Sequence, residues 1–249
     1  MLHWTIYICF AGALIMMCLP RERVSLVRII ALLIATLALL IGLLGTGKIA
    51  PGSATTLVRK EWIPSLGISY YLAADGISAA LVILTGIAGL AGVLFSWNVE
   101  KRPNEFFAFY FLLLGGVLGV FLSFDLFLLF VFYEIAIIPK YFLISIWGST
   151  NKEYGAMKLA LYSFVGSAMV LIGLLAAVAI SGSTSFDLFT LAAAKYPLAA
   201  QKWLFPVTFV GFGILAGLWP FHTWAPTGHV AAPTAREALG FWILVAISE

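Results

Sequence analysis

The sequence predicts an all-α fold: a polytopic transmembrane helical bundle with about seven full spans, a partial eighth and a broken seventh helix. Three observations carry that expectation. Hydrophobic residues fill 63% of the 249 positions and charged residues only 10%, with a mean hydropathy of +1.07, a composition outside the range of water-soluble domains. The apolar runs extend for about 18 residues or more, whereas a spanning β-barrel needs short segments that alternate apolar and polar. Most of the basic residues are spread over the connections between runs, so the net charge of +3 reads as a topology signal, not as a surface for nucleic acid.

The first span runs from Leu2 to Leu19 and stops at Pro20 and the charged turn Arg21, Glu22, Arg23. It has neither a basic leader nor a small-residue cleavage site, so it reads as a retained helix. Cys9 and Cys18 lie in it without metal-ligand spacing and read as apolar filler. The second span covers Val24 to about Leu44, with Arg28 close enough to its end to snorkel. A polar connection of about thirty residues follows, carrying Lys48, Arg59 and Lys60.

Asp75 opens the third span, which ends near Trp97, and reads as a helix-start residue stabilised by the helix dipole. The fourth span runs from Phe106 to about Phe124, and Asp125 marks the tight turn into the fifth, which ends at Gly148. The sixth covers about Ala156 to Ile180, with Lys158 near its beginning. The connection from Ser181 to Lys202 contains SFDLFTLAAAKYP, readable as a short amphipathic helix on the membrane surface. The seventh span starts near Trp203 and is interrupted by Gly211, Gly213, Gly217 and Pro220. Such breaks are tolerated in membranes where protein or a water-filled cavity satisfies the freed backbone groups. An eighth run begins after Pro233 and reaches Glu249, only about 15 residues from Ala235, so a partial span is expected.

Arg21, Arg23, Lys101, Arg102 and Lys152 fall on one side in three short loops. Lys48, Arg59, Lys60, Lys195 and Lys202 fall on the other in two long connections, which weigh less in setting orientation. The N-terminus is therefore expected outside.

The fifth run is where chemistry is expected. Glu134 lies nine residues past Asp125, about 13 Å along the axis and close to mid-membrane. An ionisable group at that depth costs about 2.5 to 3.5 kcal/mol on insertion scales, which makes it a functional candidate. A cation that approaches and withdraws would load and unload a proton there; the plainer reading is a static ion pair between helices. Pro139 removes the backbone bond to the carbonyl of Ile135, leaving an acceptor beside Glu134. Lys140 is six residues away, neither i+3 nor i+4, so it reads either as a relay group or as a side chain snorkelling to the interface.

A second cluster is WPFHTWAPTGHVAAPTA, Trp219 to Ala235. His222 and His229 stand seven apart with no carboxylate or cysteine between or beside them, so no metal site is expected. Each reads as a loop-packing histidine or as a group whose ordinary pKa of ~6.5 suits a protonation step. No nucleotide loop, iron-sulfur cysteine motif or nucleophile elbow occurs, so no catalytic residue and no cofactor site is expected in this chain.

FLSFDLFLLFVFYEIAIIPKYFLISIWG, KLALYSFVGSAMVLIG, GLWPFHTWAPTGHVAAPTA and YLAADGISAALVILT resemble the proton-translocating subunit M, or chain 4, family of respiratory NADH-quinone oxidoreductase. The resemblance runs from about Tyr70 to Ala235 and extends to the related cation/proton antiporter subunits. It implies a longer chain of about fourteen helices with two inverted repeats, each containing a broken helix. Residues 1–104 then hold helices 1–3, and residues 105–249 an incomplete first antiporter-like repeat, helices 4–8.

The resemblance further implies a membrane-arm subunit that couples quinone reduction elsewhere in a complex to proton translocation, an enzyme only as part of that translocase. Its setting would be a bacterial plasma membrane, with other membrane-arm subunits and the lipid bilayer as partners. NADH, flavin, iron-sulfur clusters and quinone would sit in other subunits. Glu134 falls on the family's fifth-helix glutamate, regarded as the partner of a lysine on the broken seventh helix. Leu215 stands at that lysine's position, Ala246 falls about where an eighth-helix lysine is usual, and Lys140 replaces a commonly apolar residue. Lys140 or Lys158 would then supply the cation, giving Glu134, Lys140, Lys158, His222 and His229 as proton-pathway candidates. The alternatives are a cation/proton antiporter subunit driven by an existing gradient, and a non-pumping structural subunit.

Overall fold

The computed structural model describes residues 1–49 and 53–231. In chain order they form α1 (His3–Cys18), α2 (Val24–Thr46), β1 (Thr55–Ile63), β2 (Ile68–Ala74), α3 (Gly76–Phe95), α4 (Pro103–Leu122), α5 (Leu126–Trp147), α6 (Lys152–Ser181), α7 (Leu188–Ala193), α8 (Leu198–Leu215) and α9 (Trp224–Ala231). Among the described residues, six helices are long and apolar enough to cross a membrane, and α1, at 16 residues, is a shorter apolar helix. The predicted eighth span and Ala246 lie outside the described residues.

Aspartates set several helix starts because a first turn leaves N–H groups unpaired. Asp75 accepts from Ser78 N at 2.8 Å, as expected for a helix-start residue. Asp125 accepts from Phe127 N and Leu128 N at 3.0 and 3.1 Å, and Asp187 from Phe189 N and Thr190 N at 2.9 and 3.0 Å. A short helix does form within Ser185 to Pro197: α7, which Asp187 caps. Charged or polar first turns extend three spans beyond their apolar runs: α4 begins at Pro103, α6 at Lys152 and α8 at Leu198.

The all-α expectation needs one correction. The polar connection between α2 and α3 contains an antiparallel hairpin, so the described chain is mostly, not wholly, helical. Thr55, Thr56 and Val58 in β1 and Ile68, Tyr70 and Tyr71 in β2 are β-branched or aromatic residues that suit a pleated surface. Gly67 turns the chain with a φ of +68°, a left-handed conformation that favours glycine. The pairing then spreads: Phe124 N donates to Tyr71 O at 3.0 Å, Leu126 N to Phe186 O at 2.9 Å and Leu188 N to Phe124 O at 2.9 Å. Asp125 Oδ2 also accepts from Ser69 N at 2.9 Å. Hairpin, α5 entrance and α7 start thus form one cap, and Asp125 and Asp187 form a bridge within it.

Below the cap, α4 occupies the centre of the bundle, with Phe106, Phe107, Tyr110 and Phe111 fully buried. The Tyr110 hydroxyl donates to Gly89 O at 2.9 Å, satisfying the one polar atom of that aromatic layer. Gly116 of α4 faces Ala136 of α5, where an added Cβ would come within 2.9 Å of the alanine Cβ, so the two helices approach closely. At the end of α4 away from the hairpin, Arg21 meets Glu105 at 2.6 Å and Trp147 Nε1 donates to Lys101 O at 2.6 Å. These contacts gather two short basic loops and the end of α5 at one face.

Candidate proton-relay site

The candidate site is built on α5, α6 and the two halves of the broken span, α8 and α9. Along α5, Leu126, Phe130 and Tyr133 pack against the buried cluster Val170, Leu174 and Leu215, contributed by α6 and α8. Phe132 and Ala136 turn instead toward α4. Glu134 lies one residue past Tyr133, and Ile138 one turn further is 55% exposed, which puts Glu134 at the rim of the packed face. It is half-buried, and its Oε1 is buried with no hydrogen-bond partner among the described residues. A buried polar oxygen left without a donor carries a desolvation cost of about 1–3 kcal/mol or more.

Leu215 is 6% exposed and belongs to the apolar cluster that Tyr133 packs against. Gly166 of α6 admits it closely: an added Cβ would lie 2.7 Å from Leu215 Cδ2. The position where the resemblance leads one to look for a lysine is thus filled by a packed side chain. Lys140 is only 5% exposed and lines a small cavity with Tyr133 and Ala136 of α5 and Val117, Val120 and Phe121 of α4. Six residues separate it from Glu134, which turns the two side chains about 120° apart around the helix. Lys140 is therefore directed to the α4 side, away from the rim that carries Glu134.

Lys158 is brought to the broken span. Its Nζ donates to Thr227 Oγ1 at 3.3 Å and lies 5.8 Å from the Tyr154 ring centroid. Thr227 Oγ1 in turn donates to Thr223 O at 2.8 Å, and Thr223 Oγ1 lies 3.1 Å from the Tyr162 hydroxyl. The break spans residues 216–223, between α8 and α9. Trp224 Nε1 donates across it to Ile214 O at 2.8 Å, a second donor to a carbonyl at the end of α8 that Gly217 N also reaches at 3.2 Å. His222 lies in the break, half-buried, with Nδ1 buried and unpartnered among the described residues. His229 lies in α9, and its side chain is outside the described residues.

Of the five candidates, Lys158 and His222 share the neighbourhood of the break, whereas Glu134 and Lys140 stand on different faces of α5. Thr223, Thr227 and Tyr162 are polar partners that sequence reasoning missed. A signal existed: Tyr162 follows Lys158 by four positions on one helix, and Thr223 and Thr227 repeat that spacing.

A family model described as NADH:quinone oxidoreductase/Mrp antiporter, TM, matches residues 123–248, about half of the chain and all of the site. The chain belongs to the NADH:quinone oxidoreductase/Mrp antiporter membrane family. This antiporter-family chain is 41% identical to NAD(P)H-quinone oxidoreductase chain 4 3 of a Picosynechococcus species, over 72% of its own length and 33% of the relative's. It is 36% identical to NADH-quinone oxidoreductase subunit M of Pseudomonas aeruginosa, over 94% of its own length and 50% of that protein. The chain thus spans half or less of the length of these curated relatives.

Among solved structures, it is similar to a chain of respiratory complex I from Thermus thermophilus with bound NADH: TM-score 0.85, 28% identity, 99% of this chain and 51% of that one. It shares its fold with a chain of the Mrp complex from a Dietzia species at TM-score 0.78 and 20% identity, over 95% of this chain and 44% of that one. Family and apolar helices together make it an integral membrane protein.

Proposed function

We propose that the chain is a membrane-arm subunit of a respiratory NADH-quinone oxidoreductase, where it translocates protons with energy released by quinone reduction elsewhere in the complex. The observation that carries this reading is Glu134: an ionisable side chain midway along an apolar helix, with a buried Oε1 that no described residue satisfies. Family membership and the printed names of the relatives give the reaction class. Moving one unit charge against 100 mV costs about 2.3 kcal/mol, so the driving force must come from the redox reaction and not from this chain alone.

In this reading Glu134 takes up and releases the proton. Lys158 is the cation we favour over Lys140, because its hydrogen bonds lead to the broken span. His222, in the break, and His229, in α9, are the further proton carriers of this reading. NADH, flavin, iron-sulfur clusters and quinone belong to other subunits, and the partners of this chain are neighbouring membrane-arm subunits and lipid. We assign it to a bacterial plasma membrane with the N-terminus outside, with about seven full spans and a partial eighth. Residues 1–104 form the leading helices and 105–249 part of the first antiporter-like repeat.

The test is Glu134→Gln in the assembled complex, measured in inverted vesicles. Lost NADH-driven proton uptake, with electron transfer uncoupled or slowed and the complex intact, is the expected result. Normal pumping would leave a non-pumping structural role, which the packed Leu215 favours. A cation/proton antiporter is the second reading, favoured by the Mrp part of the family description. Cation-for-proton exchange without NADH would establish it.

A further inference from the structure

We infer that Thr227 is a positioning residue that holds Lys158 against α9, so that a proton step at the lysine is mechanically tied to the broken span. The inference rests on the proposed place of Lys158 in the proton path.

Lys158 lies six residues into α6, about 9 Å along its axis from the helix start. A lysine ammonium has three donors and no acceptor, so its position follows the acceptors that protein offers. Thr227 offers one, and the direction of its own bond matters. Because the Thr227 hydroxyl donates its hydrogen to Thr223 O at 2.8 Å, its lone pairs are left for Lys158, 3.3 Å away. Thr227 therefore acts as a fixed acceptor rather than a hydroxyl free to rotate.

The approach of the two helices is built for this contact. An added Cβ at Gly155 would collide with Ala231 Cβ and come within 3.2 Å of Thr227 O, so a larger residue there would push α9 off α6. One turn along α6, Tyr162 binds Thr223 Oγ1 at 3.1 Å, and this second tie leads toward His222 in the break. Lys158, Thr227, Thr223 and Tyr162 thus form one polar string across the α6–α9 seam. Changes in the charge of Lys158 act on the residue it holds, and Thr227 belongs to a short helix that follows the break and is tied back to α8 by Trp224.

The experiment uses the assembled complex in vesicles, with protons moved per NADH oxidised as the readout and the amount of complex measured in each sample. Thr227→Val, which keeps the side-chain shape and removes the acceptor, is expected to lower that ratio. Thr227→Ser should restore it, and Thr227→Val should add nothing in a Lys158→Met background, since the threonine acts through the lysine. If Thr227→Val assembles poorly, Thr227→Ala takes its place with the same expectations. An unchanged ratio in the valine or alanine variant, with Lys158→Met impaired, overturns the role of Thr227 and leaves the reading of Lys158 standing. A Lys158→Met complex that pumps normally overturns both.

Discussion

Arg59 in β1 and Asp187 at the start of α7 stand 128 positions apart in the chain and meet at 3.0 Å, with the guanidinium carbon also 4.7 Å from the Tyr71 ring centroid. This pair fastens the hairpin to the connection between α6 and α8. Its two members do different work, and their removal should show it.

The Arg59 side chain is 56% exposed, so water screens the pair and its contribution should be at most about 1 kcal/mol. Asp187 is buried and also caps α7 through Phe189 N and Thr190 N, a role usually worth about 1 kcal/mol by itself. Asp187→Ala is therefore expected to lower thermal stability more than Arg59→Ala. Raising salt should shrink the arginine effect and leave most of the aspartate effect. Equal losses from the two variants, both abolished by salt, would mean that the cap contributes nothing.

Asp75 supplies a test in pH. The hydrogen bond from Ser78 N holds its carboxyl below the ordinary aspartate range, so its charged form is favoured in the folded state. A depressed carboxyl adds stability above its unfolded pKa of about 3.9, and that stability is lost as pH falls through the lower folded value. Asp75→Ser keeps a neutral cap. Wild type should exceed this variant in stability at neutral pH, with the gap closing below about pH 4. Asp125 contributes with the opposite sign: burial pushes its carboxyl up, so its contribution is present at low pH and lost as pH rises through the raised value. Because both variants in the comparison retain Asp125, its effect cancels in the difference.

The α6–α8 seam depends on small residues at Gly166 and Gly211. An added Cβ at Gly211 would lie 2.9 Å from both Val170 Cγ2 and Val170 N, and the second of these is backbone that cannot rotate away. Gly211→Ala is expected to cost about 1–3 kcal/mol through overpacking, more than Gly47→Ala, where no atom of the described residues lies within 4 Å of the added carbon. Thermal unfolding in detergent of the two variants compares them directly. An equal shift would show that the seam has room to relax.

Much of this was legible in the sequence, for reasons that also explain what was not. Membrane spans announce themselves through uninterrupted apolar runs, and Asp75 and Asp125 announce helix starts because their short carboxylates suit first-turn N–H groups. The start of α8 was displaced because Gln201 and Lys202 look like loop residues, yet they occupy the exposed first turns of a helix that begins at Leu198. The hairpin was hidden because its two strands lie in a polar connection without a clean alternating pattern, and their pairing spreads to residues near 125 and 187. At the site, Glu134 stood out as a charge in an apolar run. The bond from Lys158 to Thr227 spans 69 positions and two helices: the four-residue spacings of Lys158 to Tyr162 and of Thr223 to Thr227 mark two polar faces in the sequence, but not that the two faces meet.

Leu215 allows the last prediction. It is packed with Val170 and Leu174, and Tyr133, the neighbour of Glu134 in the chain, packs against the same cluster. Leu215→Lys removes apolar contacts and inserts an ammonium where the surroundings are carbon, and an uncompensated buried charge costs about 3–5 kcal/mol. Glu134 has a buried oxygen with no donor among the described residues, and we expect this acid to compensate part of that cost. The lysine should therefore destabilise the wild-type chain less than a Glu134→Gln chain, by about 1–3 kcal/mol in a double-mutant cycle. Thermal unfolding of the four proteins gives the coupling. A cost independent of residue 134 would show that the two positions do not form a pair.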